Sequence, residues 1–227
     1  MLLEATKLGK TYRIGWIRKR TVRVIGEASL FVNAGETVGL VGESGSGKTT
    51  LGLLLTGLLR PDEGRVFFRG KDIAGLAPAE RKEFRRRVQI IFQHPETAFN
   101  PRWKLLRSLA EPYRLHGIPF APEALLEHLK TVGLYAEHLS RYPSQLSGGE
   151  LQRAAIARVM VLEPEFVVLD EPTSMLDAIT QAQIIRLLLE LQERRGVAYL
   201  FISHDLELAR LFCRRLYRLH EGRLEAL

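Results

Sequence analysis

Cysteine is nearly absent from this chain. The 227 residues contain one, Cys213, so no disulfide can form within it, and the composition suits a reducing compartment. Long apolar runs are missing too. The longest, LGLLLTGLL at 51–59, falls far short of the roughly 20 residues a bilayer-crossing helix needs. The N-terminal MLLEATKLGKTYRIGW places acidic and polar residues early and lacks the apolar core of a secretory signal. A cytosolic location is therefore expected. There is no internal repeat, low-complexity tract or obvious linker. Aromatic residues do not interleave with the two basic runs, RKRTVR at 18–23 and RKEFRRR at 81–87, in the manner of a nucleic-acid surface. Those runs read as the solvated faces of a hairpin and a helix.

The residues present describe an ordinary globular domain, with 46% hydrophobic and 26% charged residues. Its length allows about 70% of the unfolded surface to be buried without staples. The net charge of +7 admits nucleic acid, anionic lipid or phosphate ligands as partners. Along the chain, RVIGEASLFVNAGETVGLVG reads as a hairpin turning at NAGE and feeding a buried strand at 37–41. A helix follows from Thr49, then a turn at RPDEG and a short strand, RVFFRG. From about 74 to 145 the pattern is helical, with Leu125, Leu126, Leu129 and Val132 on one apolar face and a short apolar run, VQIIFQ, between the first two helices. After 146 helix and strand alternate: a helix at 148–162, the apolar strand EFVVLD, a helix striped by Ile184, Leu187, Leu188 and Leu191 that ends near Gly196, the strand VAYLFIS, a short helix, and a hairpin turning at Glu221-Gly222. Non-alternating strands separated by helices predict a mostly parallel sheet covered on both faces. The expected fold is a single α/β domain over 1–227. Residues 1–73 and 146–227 form a core with an N-terminal antiparallel β subdomain, and about 74–145 form an inserted helical subdomain.

Three segments carry chemistry. GESGSGKTT at 42–50 fits G-x-x-x-x-G-K-[ST] and lies between a predicted strand and a predicted helix. Its residues Gly42, Glu43, Ser44, Gly45, Ser46, Gly47, Lys48, Thr49 and Thr50 would curl backbone N–H groups around phosphate oxygens at a helix N-terminus. Lys48 would reach the β- and γ-phosphates and the Thr49 hydroxyl would ligate Mg²⁺. FVVLDEP at 166–172 ends an apolar strand in two acids: Asp170 would hold the Mg²⁺ shell and Glu171 would polarise an attacking water. LSGGELQR at 146–153 puts glycines at a helix start, where exposed N–H groups suit an anion. A second phosphate-seeking element a hundred residues from the first suggests a nucleotide held by another subunit.

With these residues in order, the chain resembles the nucleotide-binding subunit of an ABC transporter over nearly its whole length. That makes the core a P-loop NTPase of the ABC ATPase type. GESGSGKTT resembles the Walker A segment, FVVLDE the Walker B segment with its catalytic glutamate, LSGGE the signature usually written LSGGQ, and SMLD at 174–177 the D-loop. The resemblance implies further roles. Tyr12 would stack on adenine, with Trp16 a weaker competitor. Gln93 would meet Mg²⁺ or the attacking water as the Q-loop glutamine, and His204 would contact the γ-phosphate as the switch histidine. Asp177 would lie at the subunit interface, and Ser147, Gly148, Gly149 and Glu150 would face the partner's nucleotide. Ser147 would cap its helix in any case. Glu150 departs from the usual Gln and would add negative charge at that interface.

QHPETAFNPR and YPSQLSGGELQR are similar to the dipeptide, oligopeptide and nickel uptake group, although the chain lacks the C-terminal extension many of its members carry. The resemblance thus implies an ATP- and Mg²⁺-dependent ATPase at the cytoplasmic face of a membrane, powering peptide or nickel uptake. Its implied partners are two membrane-spanning permease subunits, a second copy or a second ATPase, and indirectly an extracytoplasmic solute-binding protein. An exporter motor, or a soluble ABC ATPase acting on nucleic acid or ribosomes, remains an alternative, and nucleic acid is not the expected partner.

Overall fold

The computed structural model describes residues 1–15 and 20–227. Part of the first basic run, and Trp16, lie outside the described residues. The elements in order are β1 (Leu3–Ile14), β2 (Arg20–Val32), β3 (Thr37–Val41), α1 (Lys48–Leu55), β4 (Glu63–Phe68), β5 (Lys71–Asp72), α2 (Pro78–Arg87), β6 (Val88–Ile91), α3 (Leu105–His116), α4 (Pro122–Thr131), α5 (Gly148–Met160), β7 (Phe166–Asp170), α6 (Ala178–Arg195), β8 (Ala198–Ser203), α7 (Leu206–Phe212), β9 (Arg215–His220) and β10 (Arg223–Ala226). They build one ten-stranded sheet in the order β5-β4-β1-β2-β10-β9-β3-β8-β7-β6. The five strands from β9 to β6 are mutually parallel, while β1, β2, β4 and β5 form an antiparallel flank. The α/β expectation holds.

The apolar character of β7 and β8 follows from the pleat. Val167, Leu169, Tyr199 and Phe201 enter one core, packed by α3–α7. Their neighbours Phe166, Val168, Leu200 and Ile202 enter the other, packed by α1 and the antiparallel flank. A strand buried on both faces has no polar position to alternate.

Two expectations are corrected. The NAGE turn does not close a hairpin: β2 lies between β1 and β10, and β3 crosses to stand between β9 and β8. The turn is pinned instead by Glu36, which accepts from the Asn33 N–H at 3.0 Å and takes Arg215 of β9 in a bidentate pair at 2.5 and 2.8 Å. The short apolar run at 88–92 contributes β6, paired in parallel with β7, so the segment from 74 to 91 belongs with the main sheet. Of the expected helical insert, α3 and α4 remain as helices with no strand between them, and they share the first core with α5, α6 and α7. On α4, Leu126 is half-buried and His128 takes its place in the core, where its Nε2 lies 2.9 Å from the Ala157 carbonyl oxygen. The second basic run is neutralised in part: Arg87 pairs with Glu83 and Glu165, and Arg86 with Glu163.

Candidate functional site

The loop 42–47 leaves β3 and opens α1 as the motif requires. Gly47 caps the helix with φ +105°, and a Cβ there would stand 2.8 Å from a Val24 methyl of β2. Glycine is therefore demanded twice, by conformation and by space. No side chain caps α1, so its first N–H groups and the positive end of its dipole are left for an external anion. Lys48 bends back over the loop, donating to the Gly42 and Glu43 carbonyl oxygens at 2.8 and 2.9 Å. Two of its three N–H donors are thereby used and the ammonium is held in place. Tyr12 stands opposite Val22 in the β1–β2 ladder, two residues along β2 from the Val24 that abuts Gly47.

Strand β7 delivers Asp170 and Glu171 beside this loop. Asp170 is 4% exposed. Burial pushes its carboxyl above the usual range, the Thr49 hydroxyl and Lys48 pull it back, and the neighbouring Glu171 adds to the rise. At Glu171 the chain turns into the left-handed region, φ +47°, and its N–H donates to the Ile202 carbonyl at 3.0 Å. Such a backbone costs about 1–3 kcal/mol in a non-glycine residue. The turn aims the carboxylate at a cluster of donors. Oε2 lies 3.1 Å from Gln93 Nε2 and 3.2 Å from His204 Nδ1, and Oε1 lies 4.0 Å from Lys48 Nζ. Ser174 steadies the group, accepting from Gln93 at 3.3 Å and donating to the Glu171 carbonyl at 3.2 Å. Four residues singled out in the sequence for chemistry, from four separate segments, thus meet at one carboxylate. Ser174 belongs to the D-loop-like SMLD, and nothing in its spacing marked it.

The signature-like segment is built differently. Ser147 Oγ accepts from the Glu150 N–H at 3.3 Å, and Glu150 Oε2 accepts from the Ser147 N–H at 2.7 Å, a reciprocal capping box. The Ser147 N–H holds the Glu150 carboxyl below its ordinary range, with His138 adding to the effect. Glu150 Oε1 also lies 3.1 Å from His138 Nε2 and 3.6 Å from Arg141 Nη1. The negative charge that Glu150 brings is thus engaged within the chain. The glycines serve the chain as well: a Cβ on Gly149 would stand 2.8 Å from Thr180 Cγ2, and one on Gly148 would stand 3.4 Å from Leu176. Asp177 caps α6, accepting from the Ile179 and Thr180 N–H groups and, at 2.6 Å, from the Thr180 hydroxyl. Residues 147–150 thus engage one another, His138, Arg141, Leu176 and Thr180, and Asp177 engages the first turn of its own helix.

Comparison with known proteins places this geometry. A family model described as ABC transporter matches residues 25–174. The nickel import ATP-binding protein NikE of Pseudomonas putida is 45% identical, over 98% of this chain and 84% of its own length. A Bacillus subtilis protein, provisionally named as oligopeptide transport ATP-binding protein YkfD, is 41% identical over 98% of this chain and 68% of its own length. Among solved structures, a dimeric post-hydrolysis state of the ATP-binding cassette MJ0796, bound to ADP and Pi, superposes with a TM-score of 0.86 at 30% identity, covering 100% of this chain and 99% of the other.

Proposed function

The chain belongs to the ABC transporter family, and from that premise we propose that it is an ATP-hydrolysing subunit that dimerises around two ATP molecules and powers uptake of peptide or nickel type through a membrane permease. The observation that carries the chemistry is the convergence of Lys48, Gln93 and His204 on the Glu171 carboxylate beside the phosphate loop.

Each residue has a physical task. The uncapped start of α1 and Lys48 bind and orient the phosphates of ATP. Glu171 accepts the proton of the attacking water, and its left-handed backbone fixes the carboxylate's direction. Gln93 and His204 hold that carboxylate from two sides and present their own polar groups to the γ-phosphate and water. Tyr12 offers a π face to the base. The donor set fits Mg²⁺, a hard cation that keeps several waters and takes one or two carboxylates plus substrate phosphates. Asp170, the Thr49 hydroxyl and the amide oxygen of Gln93 would hold it, and it would neutralise charge on the transferring phosphoryl group.

Dimerisation answers the separation of the two glycine-rich helix starts. In this dimer the backbone of 147–150 serves a nucleotide held by a second chain, as its likeness to the family signature implies. Asp177 at the same face links the two sites. Between α2, β6, α3 and α5 runs a groove where Leu58, Phe92 and Leu115 are exposed and Arg85 and His116 line the wall. Gln93 follows directly on Phe92. A permease segment seated there would sense the Gln93–Glu171 contact through one residue of backbone. No helix among the described residues is long and apolar enough to cross a membrane, so attachment to one goes through such a partner.

The test compares wild type with Glu171→Gln. ATP affinity should persist in the variant, turnover should fall by about 10²–10⁴-fold, and ATP should drive the variant into a dimer visible by light scattering. Unchanged turnover would remove Glu171 as the base, and a monomer at saturating ATP would remove the shared-site reading.

A further inference from the structure

The chain has Glu150 where its signature resembles a Gln, and the hydrogen-bond network around that side chain supplies a reason. His138 lies on the turn Ala136–Ser140 that precedes the signature helix, and its side chain is buried. Its two ring nitrogens are committed. The Tyr135 carbonyl oxygen lies 3.2 Å from Nδ1 and accepts from the His138 N–H at 3.0 Å, but the Tyr135 N–H donates to Nδ1 at the shorter 3.0 Å and needs that nitrogen's lone pair. Nδ1 is therefore the acceptor, and the ring proton sits on Nε2. That nitrogen faces Glu150 Oε1 at 3.1 Å, while Glu150 Oε2 accepts from the Ser147 N–H at 2.7 Å.

Position 150 thus meets two donors on two different oxygens, with Arg141 a third at 3.6 Å. A carboxylate satisfies all of them. A glutamine offers one oxygen, so either orientation of its amide turns an NH₂ group against the Ser147 N–H or the His138 Nε2–H. A donor facing a donor forfeits a hydrogen bond, at greater cost beside the buried His138 ring than at the exposed Ser147 N–H. We propose that His138 and Glu150 are a matched pair: His138 is a positioning residue that, through the Glu150 carboxylate, fixes the Ser147 cap and so the aim of the first N–H groups of α5.

The pair links the turn after α4 to the segment that completes a partner's site. The network runs from the Tyr135 backbone through the imidazole and the carboxylate to Ser147, without a solvent-exposed link at the ring. A shift of the 136–140 turn would accordingly re-aim the start of α5. This step rests on the reading that residues 147–150 serve a nucleotide in a second chain.

Three variants and one spectroscopic measurement test it: Glu150→Gln, His138→Leu, and the two combined. Glu150→Gln should lower ATP turnover about five- to tenfold while leaving ATP affinity, read on the isolated chain, within twofold. Adding His138→Leu removes the opposing donor and should recover at least half of that loss. Wild-type turnover in Glu150→Gln, or a loss the double variant leaves uncorrected, would overturn the pairing. Thermal melts confirm that each variant is folded. Should Glu150→Gln fail to fold, the ¹⁵N shifts of His138 in the wild-type protein decide: a protonated Nε2 with a bare Nδ1 is expected, and the opposite tautomer overturns the proposal. The Glu171→Gln comparison separates the two failures, because a protein that loses turnover there and keeps it in Glu150→Gln retains the ATPase reading and loses only this pair.

Discussion

The chain has two glycine-rich helix starts, and they are finished in opposite ways. At α1 nothing caps the helix: Gly47 precedes it, no side chain returns to its N–H groups, and Lys48 leans over the loop. At α5 Ser147 and Glu150 cap each other, and His138 and Arg141 hold the cap. An uncapped start has strong demand for an anion and a capped one has little. In the proposed dimer, the same chemical motif would give one end that captures phosphate by itself and one that is rigid beforehand and contributes when another chain supplies the ligand.

Removing the cation from the uncapped end should have the largest effect on binding. Lys48→Ala should weaken ATP binding by about 10–100-fold, the range of one or two lost charged hydrogen bonds; calorimetry showing native affinity would break the contrast. At the capped end the effects should fall on stability first. Gly149→Ala places a methyl 2.8 Å from Thr180 Cγ2 and should cost about 1–3 kcal/mol in urea unfolding. Thr180→Ser in the same background removes that methyl, keeps a hydroxyl for Asp177, and should return part of the loss. Ser147→Ala deletes one cap acceptor and should cost about 1 kcal/mol, lowering the melting temperature by about 2–4 °C for a chain of this size. A larger drop in ATP affinity than in stability would show that the capped end also captures phosphate unaided.

The smallest effect tests a feature remote from both ends. Arg215 holds the Glu36 carboxyl below its ordinary value of 4.5. Its contribution is thus complete above about pH 4.5 and is lost as the pH falls through the lower folded value. Glu36→Gln should lower the urea midpoint at pH 7, and the gap to wild type should narrow as the pH is taken below 4.5. A gap that widens on acidification would contradict the pairing.

The sequence made the phosphate loop and the strand-end acids legible because their chemistry is local: consecutive residues, one turn, one strand end. It made the parallel core legible because β7 and β8 have no polar positions. It misled where a decision depended on a distant partner. The NAGE turn looks the same whether the next strand folds back or crosses to β8 and β9. The run at 88–91 is too short to show that β7 stands beside it. At 147–150 the spacing Ser-x-x-Glu is itself a capping-box signal, but the demands on its glycines within the chain come from Leu176 and from Thr180 at the start of α6, far along the sequence. His138 carried no signal, since a lone histidine before a helix announces neither burial nor a carboxylate.

The antiparallel flank meets the parallel core at one register pair, Arg223 opposite Glu27, with the Gly26 N–H donating to the Gly222 carbonyl at 2.7 Å. Arginines strengthen that junction: Arg215 of β9 donates to the Phe31 carbonyl of β2 at 2.8 Å, and Arg69, just after β4, donates to Glu165, just before β7, at 2.9 and 2.6 Å. Tyr12 lies on one side of this joint and Lys48 on the other. A nucleotide whose base rests on the first and whose phosphates rest on the second would act as a further clasp across this junction. Inorganic triphosphate, which lacks the base, would fill the loop and leave the clasp open.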